Sequence, residues 1–163
     1  MMRQLVPEDF CLKCQGCCRF PEPESIWSPN LLDDDIQALL KNSIPPFFIL
    51  DKKKIRLTHY QPQDNFLCAL LDVSSNKCKT YAFRPFECRL YPFLINRSNK
   101  KVFLAVDLKC PFIQAKQKSQ VLKAHAQYLA DFLSQPDFLK TLRRNAHIIQ
   151  KYEAVLDLVE LQM

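Results

Sequence analysis

The run Cys11-Leu12-Lys13-Cys14-Gln15-Gly16-Cys17-Cys18-Arg19 places four cysteines within eight residues, and four more follow at Cys68, Cys78, Cys88 and Cys110. Two-residue gaps let one tight backbone loop turn several sulfurs toward a common centre. Thiolates select zinc, copper(I) or iron–sulfur clusters over magnesium and calcium. The stretch therefore predicts a core organised about a thiolate-rich metal site. Neighbouring side chains splay apart, so one of Cys17 and Cys18 is expected to serve a second centre. Eight cysteines suit two four-thiolate sites, or one cluster with spare thiols.

Working outward, Cys11-x2-Cys14-x2-Cys17 matches the first three ligands of a bacterial ferredoxin run, and Cys110-Pro111 fits the distant cysteine followed by proline that such runs recruit. Cys68, Cys78 and Cys88 are separated by gaps of nine residues, too long for a zinc knuckle. Only a tertiary fold can gather them. Arg19, Arg84 and Arg89 lie beside cysteines, where cations lower a thiol's pKa. The same arginines could equally pair with surface carboxylates. Phe83, Phe86, Tyr91 and Phe93 are expected to pack around the metal site and keep water from it.

Composition narrows the classes. At 163 residues, with 48% hydrophobic and 25% charged side chains, the chain reads as one domain with a real core. Gly16 is its one glycine, which excludes glycine-rich nucleotide loops and a G-x-S-x-G elbow. No apolar run reaches the length of a membrane span. Residues 1–10 carry Glu8 and Asp9 and do not read as a signal peptide. A cytoplasmic setting follows as an expectation, and with it reduced thiols that bind metal rather than disulfides. The formal charge is +6. Eight thiolates would overturn it, and two metal centres of about +2 each would restore a small positive net. The surplus Lys and Arg would then partly balance the metal site. Nucleic-acid binding does not follow from the charge alone, and a nucleic-acid partner is not expected.

The chain reads as a cysteine core followed by a helical tail. Ser28 as a cap, Pro29 in the first turn and Asp33-Asp34-Asp35 at the positive end predict a helix over 29–41. Residues 47–50 and 55–58 predict a hairpin around a basic turn, and 93–96 and 101–106 a second one. Residues 64–93 are expected to be mostly irregular. Ser119 opens a helix of about 15 residues, and after Ser134-Gln135-Pro136-Asp137 the stripe Phe138, Leu142, Ile149, Leu156 and Val159 predicts one of about 24. The fold class is α+β: a small metal-stabilised cysteine core (10–112) with short β-hairpins, one N-terminal helix, and two C-terminal helices (119–160) packed on it. His59, His125 and His147 are candidate ligands; structural roles suit the tail pair better. Asp33-Asp34-Asp35 and Arg143-Arg144 read as a helix terminus and a solvated face.

The combined pattern Cys-x2-Cys-x2-Cys-Cys-Arg, then Cys68, Cys78, Tyr81, Arg84-Pro85, Cys88-Arg89 and Tyr91-Pro92-Phe93, resembles the YkgJ-type cysteine-cluster family, a zinc- or iron-chelating CxxCxxCC domain. The likeness spans about residues 10–112. It implies a metal site drawn from Cys11, Cys14, Cys17, Cys18, Cys68, Cys78, Cys88 and Cys110, holding zinc or an iron–sulfur cluster. Flagellin lysine N-methylases carry a similar cluster. The resemblance implies no particular reaction, and no catalytic motif stands in the sequence. Three functions compete: metal or electron handling, including assistance to a modification enzyme; a cluster-dependent modification enzyme of the methylase type; and a structural zinc protein docking a partner through its C-terminal helices.

Overall fold

The computed structural model describes residues 2–163. Two compact units divide them: Glu8–Cys88, and Arg89–Met163 together with the N-terminal segment up to Pro7. Both contain helices and strands, so the class is α+β.

In the first unit the cysteine run starts inside a short helix, α1 (Glu8–Lys13), with Glu8 and Asp9 at its positive end. The sequence reading did not foresee it. The Cys14 amide bonds the carbonyls of Phe10 and Cys11 at 3.0 and 3.2 Å, closing the loop. Strand β1 (Arg19–Phe20) follows and pairs antiparallel with Phe66 and Leu67. Helix α2 covers Asp33–Lys41, not 29–41. The stretch before it is extended: the Ile55 amide bonds the Pro29 carbonyl at 3.0 Å and the Leu31 amide bonds that of Lys53 at 2.8 Å. Backbone pairing with the neighbouring hairpin thus outweighs the capping signal of Ser28-Pro29.

That hairpin is β2 (Ile49–Leu50) with β3 (Lys54–Ile55), shorter than expected because Pro46–Phe48 coil into a 3-10 turn. Strand β4 (Leu57–Tyr60) pairs with β5 (Asn65–Cys68), which becomes the centre of a three-stranded sheet ordered β1-β5-β4. A second small ribbon joins β6 (Leu71–Asp72) to β7 (Lys77–Cys78). Residues 64–93 are therefore more regular than expected. Their strands are only two to four residues long in the first unit, too short to show an alternating pattern. The core is built on Phe20, Leu31, Leu39, Ile55, Leu67 and Leu70, with Cys68 among them. Leu31, Leu39 and Ile55 are wholly buried, each worth about 1.5–3 kcal/mol of apolar transfer. Helix α3 (Phe86–Leu90) carries the chain out of this unit.

The second unit is a three-stranded antiparallel sheet ordered β10 (Val155–Leu161), β9 (Lys101–Asp107), β8 (Phe93–Ser98). Strands β8 (Phe93–Ser98) and β9 (Lys101–Asp107) form the expected hairpin, somewhat longer than foreseen, turning through Asn99 and Lys100 at φ 49° and 64°. A short helix α4 (Pro111–Gln114) leads to α5 (Gln120–Leu133), where Ser119 Oγ accepts from the Leu122 amide at 3.2 Å, as its N-cap position demands. Helix α5 packs against β9 and β10.

The second tail helix departs from expectation. Helix α6 ends after nine residues (Pro136–Arg144), and the chain re-enters the sheet as β10 (Val155–Leu161) beside β9. The apolar residues Leu156 and Val159 belong to a strand. A register shift between Asp157 and Val159 breaks the two-residue alternation, which is why their spacing mimics a helix.

Candidate metal centre

Strand β5 holds Cys68 directly opposite Leu57 of β4, and the Cys68 amide bonds the Cys18 carbonyl at 3.0 Å. This stitches the N-terminal run to the central strand. Cys78 sits opposite Leu71 in the small ribbon, its Sγ 3.2 Å from Thr80 Oγ1. Cys88 rides on α3. Cys18 and Cys78 pack against the same apolar core that contains Cys68.

Burial and mutual charge act together on several of these thiols. Burial pushes the Cys88 thiol well above its ordinary pKa, and the charges of Cys68, Cys78 and Cys17 push it further. Burial also pushes Cys68 up to about 12, with Cys78 and Cys17 adding to the rise. Cys17 is exposed as a residue. Its thiol is still pushed well up, first by a hydrogen bond with the Cys18 thiol and then by burial of the sulfur. The adjacent Cys18 thiol thus opposes the ionisation of Cys17. Cys17, Cys18, Cys68, Cys78 and Cys88 form one neighbourhood inside the first unit, and Cys11 lies within charge range of Tyr81. Among the described residues no three Cys, His, Asp or Glu side chains stand close enough to form a ready coordination shell. The sulfurs are gathered but not closed around a point. Cys110 lies buried in the second unit, at the N-cap of α4.

Side chains that sequence reasoning missed hold this neighbourhood together. Asn76, at φ 50° in the β6–β7 turn, donates from Nδ2 to the carbonyls of Leu12 and Cys14 at 2.6 and 3.0 Å. Its Oδ1 accepts from Arg19 Nη1 at 2.9 Å. One amide thus clamps both ends of the cysteine run. An Asn in a turn beginning with Asp72-x-Ser was the available signal, since such residues tolerate left-handed backbone. On the far side, Glu87 accepts from the Asn30 amide at 2.6 Å and from its Nδ2 at 3.1 Å. Burial raises Glu87 to about 7, against the lowering effect of these bonds and of Lys54. This anchors α3, and Cys88 with it.

Of the cations beside cysteines, Arg84 acts on a thiol, though weakly. Arg84 lies 3.7 Å above the Tyr81 ring. It does lower Cys17, but as the smallest of the contributions acting on that thiol. Burial and mutual repulsion among the sulfurs win. Nor does the surplus of Lys and Arg sit with the sulfurs. The first unit has ten Lys and Arg against eleven Asp and Glu, while it holds seven of the eight cysteines. Of the expected aromatic shield, Phe83 packs on the cysteine-bearing core. Phe93 belongs to the second unit, 5.5 Å from the His125 ring. His59 pairs with the exposed Asp64 at 3.0 Å on β4 and is not drawn to the sulfurs. Asp35 is a structural carboxylate that accepts from the Leu32 amide at 2.9 Å and from that of Phe86 at 3.0 Å.

The donor set fits a thiophilic cation. Buried sulfurs that penalise one another's ionisation, in a unit with no surplus of Lys or Arg, match a metal of charge two or more. Gly16 lies against half-buried Cys14: a Cβ there would stand 3.4 Å from Cys14 Sγ.

Comparison with known proteins agrees with this chemistry. The chain is 28% identical over 102 residues to the uncharacterized protein MJ0661 of Methanocaldococcus jannaschii, a match covering 60% of this chain and 52% of that protein. It thus spans about half the length of that curated relative. No solved structure matches the chain. The CxxCxxCC family, described as "Putative zinc- or iron-chelating domain", matches residues 10–111. With well over half of its length so matched, the chain belongs to the CxxCxxCC family.

Proposed function

We propose that the first unit binds zinc or iron through cysteine thiolates, and that the protein works in metal or electron handling. Cys17, Cys68, Cys78 and Cys88 are the core ligands. Cys11, Cys14 and Cys18 are further donors from the same unit, and Cys110 is a candidate thiolate ligand within the second. The observation that supports this reading is the meeting of Cys18, Cys68 and Cys78, from three separate stretches, at one apolar core, with the Cys17 and Cys88 thiols coupled to Cys68 by charge. A family of zinc- or iron-chelating description supports it.

When bound, zinc would lock the short strands together, and an iron–sulfur cluster would add one-electron chemistry. The chain's own residues do the positioning. Asn76 and Arg19 hold the cysteine run, Asp35 and Glu87 hold the helix bearing Cys88, and Phe83 limits water. Purification without oxygen, followed by elemental analysis and a visible absorption spectrum, tests the reading. At least about one equivalent of zinc or iron per chain is expected, with visible absorption only in the iron–sulfur case, and Cys88→Ser should lower the content. Less than about half an equivalent of any transition metal would sink the proposal.

A further inference from the structure

The basic charge of this protein is concentrated in one unit. Arg89–Met163 with the N-terminal segment carries thirteen Lys and Arg against six Asp and Glu, a net of +7, while Glu8–Cys88 has a net of −1. Within the basic unit, residues 108–130 and 138–152 contain no Asp or Glu at all. Lys116, Lys118, Lys123, Arg143, Arg144 and Lys151 are all exposed. None of the six makes an ion pair among the described residues; Lys101 with Glu160 and Lys140 with Asp137 do. Three of the lysines stand around the start of α5, whose first turn has no acidic residue. Cations there oppose the helix dipole and lower the stability of α5. A sequence that breaks a local rule in this way is most readily explained by a partner.

We infer that this unit binds nucleic acid through its phosphate backbone, without reading bases. Two stretches of exposed cations outside any ion pair, each without an acid of its own, are the footprint of a polyanion partner. Among the described residues, the large apolar side chains exposed on this unit are Val121, Leu156 and Met163, none of them aromatic. Stacked bases need exposed rings, so single-strand recognition through bases is disfavoured. A membrane-lying helix needs Trp, Phe or Leu beside its cations. In α6 Leu142 is buried, and Phe138 and Leu139 are half-buried. The backbone of a duplex asks for neither feature, only for cations in number. This inference does not depend on the metal site.

Fluorescence anisotropy of the 163-residue chain with a labelled duplex of about 20 base pairs tests it directly. Binding is expected at about 50 mM salt and should weaken by at least about tenfold on raising salt to about 200 mM. The variant Lys116→Glu/Lys118→Glu/Lys123→Glu should bind at least about tenfold more weakly, and Arg143→Gln/Arg144→Gln about threefold or more. Lys52→Glu/Lys53→Glu, in the other unit, should bind as wild type. The triple variant should melt no lower than wild type, because its acids suit the positive end of α5. If it nonetheless fails to fold, the arginine pair decides alone. No binding at low salt, binding indifferent to salt, or variants as tight as wild type would each overturn the inference. So would capture by phosphatidylserine vesicles without any duplex binding, which would identify a membrane surface instead.

Discussion

Single side chains settle two questions in this protein. Asn76 shows how a loop of four cysteines is held without glycine-rich turns: one amide satisfies two carbonyls and an arginine. His125 shows how the second unit responds to acid. Its ring lies 5.5 Å from those of Phe93 and Tyr128, and the Arg3 guanidinium stands over the Tyr128 ring. Burial holds the imidazole below its ordinary pKa, and the backbone hydrogen bond with Arg3 only partly opposes this. The folded state therefore binds the proton more weakly than the unfolded chain does. Its stabilising contribution is complete above the unfolded value of about 6.5 and is lost as pH falls from there toward the folded value. Melting temperature should drop more between about pH 7 and pH 5 in wild type than in His125→Phe. Equal drops in the two proteins would contradict this account.

Among the elements, the helix ends carry the most information. Asp35 caps its own helix α2 at the Leu32 amide and the start of α3 at the Phe86 amide. Asp35→Ala strands two backbone donors, and each buried donor without an acceptor costs about 1–3 kcal/mol. The variant should lose about 2–3 kcal/mol in urea unfolding, with Asp35→Asn recovering part of it. A loss below about 0.5 kcal/mol would mean that water replaces the carboxylate. What the sequence made legible follows the same logic. The Ser119 cap and the β8–β9 hairpin were readable because their signals are local: a hydroxyl before an apolar stripe, and two apolar runs about a polar turn. Strand β10 was not readable, because its bulge erases the alternation and its partner β9 lies some fifty residues away. The start of α2 was misplaced because pairing to residues 53–55 overrides a favourable cap.

For the whole molecule, the cysteine spacing pointed to the metal chemistry of the family to which the chain belongs. It could not say which sulfurs are neighbours, because sequence gaps of nine residues leave that to tertiary contacts. Nor could it show the division of charge, since a total of +6 hides a unit of +7 beside one of −1. That division supports both proposals: thiolates without compensating cations call for a metal, and cations without compensating acids call for a polyanion. The central claim is the thiolate-held metal. X-ray absorption at the zinc or iron edge of protein prepared without oxygen tests it most directly. A first shell dominated by sulfur at about 2.3 Å is expected, whereas a shell of oxygen or nitrogen at about 2.0–2.2 Å, or no bound metal at all, would contradict it.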